Sequence, residues 1–280
     1  MSVCLQIALL VLTLLLGPGL SGAARAQDRF ITLASTTSTE QSGLFDHILP
    51  RFRQATGIAV RVVAVGTGQA LTIAARGDAD AVLVHDRAGE DKLAADGHGI
   101  DRRDVMFNDF VIVGPAEDPA RIKGLKDALE AFRRIAEHAA PFASRGDDSG
   151  THRMELRFWQ RASIDIGGRG KGDWYKELGS SMGATLNTAA GLDAYVLTDR
   201  ATWANFNNRR RLAILSEGDP LLFNPYGSLL VNPAKGPHIK HADAKVWHEW
   251  LTTKPGQDAI TSFRIGGEQL FFIGQPAPRS

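Results

Sequence analysis

The sequence predicts an α/β protein of two lobes, each a mainly parallel sheet flanked by helices. Three observations carry this. Short β-branched runs alternate with amphipathic stretches between residues 30 and 114, the pattern of strands joined by helical crossovers. The same rhythm restarts after Pro115. The chain has 280 residues, 44% of them hydrophobic, and a single cysteine. That is enough apolar surface for one large core or two smaller ones without disulfide staples.

In chain order, Phe30–Ala34 reads as the first strand and Leu44, Phe45, Ile48, Leu49 and Phe52 as one helical face. The run Ile58–Val65 is a second strand, stopped at Gly66-Thr67-Gly68, with a small-residue helix over 69–75. A third strand at 80–85 precedes a helix over 90–96, and Phe110–Gly114 is a fourth strand, ended by Pro115. Beyond it, Leu125, Ala128, Leu129, Phe132, Ile135 and Ala136 share a helical face. Residues 141–144 are strand-like, 151–161 helical, and the Gly-rich segment 167–173 a loop. Strands at 194–197, 212–215 and 228–231 and helices at 242–251 and 256–263 complete the pattern. Residues 27–114 and 226–280 are expected to form lobe one, and 115–225 an inserted lobe two. Two connections between lobes would make a hinge with a cleft beside it.

Residues 1–26 read as an export signal. The apolar run Ile7–Leu16 is too short to span a bilayer, Gly17-Pro18-Gly19 breaks it, and Ala24-Arg25-Ala26 supplies a small-x-small cleavage pattern. The mature chain is expected to start at Gln27, soluble and without a membrane anchor. Cys4 precedes the apolar run, so it does not serve as a lipidation site, and the mature chain has neither disulfides nor thiolate metal ligands. Removing Arg25 with the leader leaves 31 basic against 31 acidic side chains. That balance argues against a nucleic-acid surface and means that any anion must be drawn by local geometry. No His, Asp or Glu spacing suggests a metal site, and no cofactor fingerprint is complete.

Two strand-to-helix corners carry the chemistry. Ser35-Thr36-Thr37-Ser38-Thr39 sets five consecutive hydroxyls where helix amides are unpaired and the helix dipole favours negative charge. One capping residue would suffice for an ordinary N-cap, so the run favours an anion pocket. Ser144-Arg145-Gly146-Asp147-Asp148-Ser149-Gly150-Thr151-His152 combines a guanidinium fork with hydroxyls and close-approach glycines. It reads equally as an Asp/Ser cap beside a surface arginine. Gly66–Leu71, with Thr67, offers turn amides to a cleft. Tyr195–Trp203 places Tyr, Thr, Asp and Arg at another such corner; Tyr195 fits the core as well, and Asp199-Arg200 an exposed pair. A nucleophilic Ser149 needs a positioned base, and no spacing selects one of the histidines; His85 and His152 read as structural or capping residues.

Together these segments resemble the tungstate-binding periplasmic proteins of ABC importers. Ser35–Ser38 is similar to the family's Thr-Thr-Thr-Ser motif, and Ser42-Gly43-Leu44 follows it. Ser144–His152, Gly66–Leu71 and Tyr195–Trp203 resemble further family segments, as do 182–187 and 224–227. The likeness spans nearly all of the mature chain. It implies a periplasmic-binding-protein fold, a non-enzymatic monomeric periplasmic receptor, and a tetrahedral oxyanion held between closing lobes for delivery to a membrane permease. Carried over by motif, the ligand contacts fall on Thr36, Thr37, Ser38, Thr67, Ser144, Arg145, Ser149 and Thr151. Tungstate is the expected ligand; molybdate, sulfate and phosphate receptors are the alternatives within the class. An exported serine hydrolase and a binding-only sensor are those outside it. One departure stands out: Ser35 replaces the motif's first threonine, losing a methyl that fixes the rotamer, which bears on affinity and selectivity.

Overall fold

The computed structural model describes residues 29–167 and 172–274. The export-signal reading of residues 1–26 and most of the polar 167–173 segment fall outside them. The first strand, β1 (Phe30–Thr36), runs into a short helix, α1 (Thr37–Gln41), and then α2 (Leu44–Thr56). β2 (Ala59–Val65), α3 (Thr67–Arg76), β3 (Ala81–Val84), α4 (Arg87–Ala95) and β4 (Gly99–Pro115) follow. The middle of the chain forms α5 (Ala128–Glu137), β5 (Phe142–Ser144), α6 (Gly150–Arg161), β6 (Tyr175–Glu177), α7 (Met182–Leu192), β7 (Val196–Asp199), α8 (Arg200–Asn205) and β8 (Leu212–Ser216). β9 (Phe223–Val231), α9 (His241–Trp250) and α10 (Lys254–Thr261) return, and β10 (Arg264–Ile265) pairs with β11 (Glu268–Gln269).

The sheet order is β2-β1-β3-β9-β4-β7, with β8 also on β4. β1 is parallel to β2 and β3, and β5 to β6, as the strand-helix alternation predicts. The centre is antiparallel, because β4 and β9 pass between the lobes in opposite directions. β4 pairs with β9 over Gly99–Asp109 and then with β7 and β8 over Phe110–Pro115. Its 17 residues far exceed the strand expected at 110–114. The first part, rich in Asp and Arg, lacks a clean apolar run, and backbone pairing with β9 rather than propensity makes it a strand. α7 also lacks a strong sequence signal, being rich in Gly, Thr and Asn. It is held by burying Met182, Leu186, Ala189 and Ala190.

Each lobe buries apolar side chains on both faces of its sheet. In lobe one, Ile31, Leu33, Leu44, Ile48 and Phe52 pack with the C-terminal helices. Phe52 meets the Trp247 ring edge-on at 5.0 Å, so the tryptophans at helical spacing serve the core. Ala34, Ala70, Val82, Val84 and Leu229 fill the opposite face. In lobe two, Phe132, Phe142, Phe158 and Trp159 form one aromatic core, and Val111, Val113, Leu186 and Trp203 the other. Each such large side chain contributes about 1.5–3 kcal/mol by leaving water.

Candidate functional site

The C-terminal ends of the parallel strands gather the polar residues, the place where open α/β sheets bind ligands. β1 delivers the hydroxyl run, β2 the Gly66-Thr67 corner at the start of α3, and β5 the Ser144-Arg145 pair that leads to α6. A cleft of about 360 Å³ opens there, bordered by Thr37, Gly66, Gln69, Asp147, Gly179 and Ser181.

The five hydroxyls divide their work. Ser35 donates to the Leu83 carbonyl at 2.6 Å and is fully buried, so the residue that departs from the motif spends its hydroxyl on the neighbouring strand. Thr36 caps α1: its Oγ1 accepts from the Thr39 amide at 3.2 Å and meets the Thr39 and Ser38 hydroxyls at 2.7 and 3.1 Å. Thr37 is half-buried and takes a long 3.4 Å contact from Arg145 Nη2. Ser38 Oγ lies 3.1 Å from His85 Nε2.

Across the cleft, Arg145 is 1% exposed. Its Nη2 donates to Asp147 Oδ2 at 2.6 Å, whereas Nε and Nη1, both buried, have no hydrogen-bond partner among the described residues. Burial pulls its pKa down, and Asp147, Asp199 and Glu155 oppose that; a guanidinium stays charged under such stress. The surface-arginine alternative is therefore overturned, although the Asp/Ser capping expectation holds beside it. Ser149 Oγ accepts from the His152 amide at 3.2 Å as the cap of α6. Thr151 Oγ1 is buried without a partner among the described residues. Ser144 is fully buried next to Glu155, which accepts from Tyr175 at 2.7 Å and Trp159 at 3.1 Å. Desolvation pushes the Glu155 carboxyl up to about 7.

The lobes touch at this point. Thr67 Oγ1 accepts from the Gly150 amide at 2.7 Å, and Arg153 Nη1 reaches Asp86 at 2.7 Å. With the Arg145–Thr37 contact, these bring Thr37, Thr67 and Arg145 of the eight expected residues to the contact between the lobes, while Thr36 and Ser149 are spent on caps. The Tyr195 corner behaves otherwise. Tyr195 is core, its hydroxyl donating to Asp118 at 2.8 Å and accepting from the Ala120 amide at 2.9 Å. Asp199 and Arg200 are no exposed pair: Asp199 caps α8 from a buried position, and Arg200 binds Asp109 and Glu217.

His85 is the residue that sequence reasoning undervalued. It sits just past β3, the same edge that β1 and β2 present, and that position was the available signal. It is 5% exposed, and burial pushes its pKa down to about 4, so the ring is neutral. Nδ1 meets Asn224 Oδ1 at 3.0 Å. Among the described residues no group of His, Cys, Asp and Glu could hold a metal ion.

A sheet whose strand ends face each other across a hinged cleft, lined by donors from both lobes, defines a bilobal ligand receptor. The chain belongs to the PBP superfamily, whose domain matches residues 21–255. Within it, its relatives include tungstate-binding proteins. The tungstate-binding protein TupA of Peptoclostridium acidaminophilum is 44% identical over 235 residues, which cover 83% of this chain and 81% of TupA. The crystal structure of the tungstate ABC transporter from Geobacter sulfurreducens superimposes with a TM-score of 0.77 at 46% identity, covering 84% of this chain and 98% of that one. TupA of Desulfovibrio alaskensis G20 gives a TM-score of 0.73 at 41% identity, over 87% and 98% of the two chains.

Proposed function

We propose that the protein is a periplasmic receptor that captures a tetrahedral oxyanion, tungstate first, and hands it as a monomer to the permease of an ABC importer. The observation that carries this is the buried Arg145 guanidinium, with two nitrogens unpartnered among the described residues at the meeting of α3 and α6. A buried cation with spare donors calls for an anion, since leaving such donors unpaired is costly. Helix N-termini and hydroxyls supply further positive potential with no net charge on the expected mature chain. In this reading Thr36, Thr37, Ser38 and Thr67 serve the anion from lobe one, and Ser144, Arg145, Ser149 and Thr151 from lobe two.

The carboxylates favour a fully ionised anion. Hydrogen phosphate needs an acceptor for its proton, and Asp147 spends both oxygens on Arg145 and the Ser149 amide. Asp148 spends both on Arg153. Ser149 is engaged as a cap, and the ring of nearby His152 accepts from the Asp148 amide through Nδ1 at 3.0 Å, which speaks against a nucleophilic serine. We place the hinge where β4 and β9 cross between lobes, near Asp109–Phe110 and Phe223, each a few residues before the 114/115 and 225/226 boundaries suggested by sequence. Calorimetric titration of the mature chain with tungstate, molybdate, sulfate and phosphate tests the reading. Tungstate and molybdate should bind far more tightly than phosphate, and phosphate binding as tight as tungstate would refute it.

A further inference from the structure

We infer that Tyr226, Asn108, Asn224 and His85 form a one-way hydrogen-bond relay that holds Ser38 as a donor to the bound anion, with His85 as its positioning residue; this deepens the anion-receptor reading and rests on it. Asn108 and Asn224 face each other in register across β4 and β9. Their side chains meet at 2.6 Å, Asn224 meets His85 Nδ1 at 3.0 Å, and His85 Nε2 meets Ser38 Oγ at 3.1 Å. All four residues are buried, as is Tyr226, whose ring lies 4.9 Å from that of His85.

An amide's oxygen and nitrogen have the same shape, so this array can run in either direction. With the Asn224 oxygen toward His85, Nδ1 donates and Nε2 accepts the Ser38 proton, which then points away from any ligand. The same direction leaves Asn108 Nδ2 and the Tyr226 hydroxyl buried without a hydrogen-bond partner among the described residues. Turning both amides gives Asn108 Nδ2 an acceptor at 2.6 Å and turns the Asn108 oxygen toward its second neighbour, the Tyr226 hydroxyl. The Tyr226 hydroxyl, which interacts with Thr39, Asn108 and Asn224, can then donate to the Asn108 oxygen, and Asn108 Nδ2 donates to the Asn224 oxygen. Asn224 Nδ2 donates to His85 Nδ1, and His85 Nε2–H donates to Ser38 Oγ. The Ser38 proton is then no longer spent on His85 and can turn to the anion, with Thr36 Oγ1 at 3.1 Å as the competing acceptor. Unpaired buried polar groups are costly, and a fully satisfied array polarises in one sense.

The surroundings suit a neutral relay ring. Desolvation, Arg145 and Arg157 disfavour the imidazolium, against the Asn224 bond and Asp86. Gly150 lets α6 close on the ring, since a Cβ there would lie 2.9 Å from His85 Cε1. The opposite direction would set Ser38, His85 and Asn224 as a nucleophile, base and orienting residue. The tautomer of His85 separates the two.

Selective ¹⁵N spectroscopy of the imidazole nitrogens in the mature protein, free and loaded with tungstate, should show His85 protonated on Nε2. Protonation on Nδ1 in the loaded protein overturns the relay. Failure of tungstate to bind at all would refute the receptor reading instead, while the free protein's tautomer still decides the direction of the array. A double-mutant cycle gives a second measure. Asn224→Asp forces the array into the opposite sense, because a carboxylate accepts from Nδ1–H. It should lower tungstate affinity roughly 10–100-fold where Ser38 is present, the scale of one hydrogen bond to a charged group, and at least tenfold less in the Ser38→Ala background. Equal losses in the two backgrounds would show a bare charge effect and end the proposal.

Discussion

Arg145 and Glu155 are both buried, one cationic and one with a carboxyl pushed up to about 7.

 Neither side chain has bulk water to compensate for a lost partner, so substitutions at both are expected to have large and opposite effects. Arg145→Ala should weaken tungstate binding by roughly 3–5 kcal/mol, the cost of breaking a buried charged contact from one side. Arg145→Lys should recover only part of that, because a point charge cannot replace a planar fork. Calorimetry on folded variants checks both, and near-wild-type affinity in Arg145→Ala would remove the residue from the site. Glu155 has a folded pKa raised from the model-compound 4.5 to about 7. Its contribution to stability is therefore present in full below about pH 4.5 and is lost as pH rises through 7. Glu155→Gln, which does not titrate, should match the wild type most closely near pH 4.5 and gain on it by a few kcal/mol, in order of magnitude, by pH 8. Urea denaturation at the two pH values measures this, and a gap that does not widen with pH would be the contrary result.

At the scale of elements, the start of α6 is where packing and function meet. A Cβ on Gly150 would lie 2.9 Å from His85 Cε1 and 3.1 Å from Thr67 Oγ1, so the helix can dock against α3 and β3 only with glycine there. Gly150→Ala should cost about 1–3 kcal/mol through overpacking and weaken tungstate binding about tenfold or more, because the strain falls on the lobe contact. Gly191, near the end of α7, is the control, since nothing lies within 4 Å of a Cβ built there. Gly191→Ala should leave binding unchanged and stabilise the protein by about 0.5–1 kcal/mol. Thermal melts and titrations of the pair test both statements, and equal behaviour of the two variants would contradict them.

For the whole molecule, the contacts across the cleft describe a closed receptor. Gly150 to Thr67, Arg153 to Asp86, and the Gly183 amide to Gln41 Oε1 at 3.0 Å all join residues far apart in sequence. Neither donor cluster alone surrounds an anion, so closure and binding should be coupled. X-ray scattering of the tungstate-loaded protein is expected to fit this structure, and the ligand-free protein should show a larger radius of gyration. The melting temperature should rise with tungstate concentration, as mass action requires. Tight binding by an isolated lobe would defeat the coupling.

The sequence by itself determined the layered α/β class, the strand ends that carry hydroxyls and the Arg145 corner, because these are local. Periodicity marks a strand or helix within a few residues, and runs of Ser and Thr before a helix expose their chemistry directly. It did not determine the length of β4, whose charged first part becomes a strand only through pairing with β9. Nor did it divide the hydroxyls between work and structure. Ser35 turns to Leu83, and Thr36 and Ser149 cap helices, while Arg145 keeps two buried nitrogens unpartnered among the described residues. The array from Asn108 through Asn224 and His85 to Ser38 joins residues up to 139 positions apart. Only the tertiary structure decides such matters, since a hydrogen bond depends on which groups the fold brings within about 3 Å, and residue type alone does not fix that.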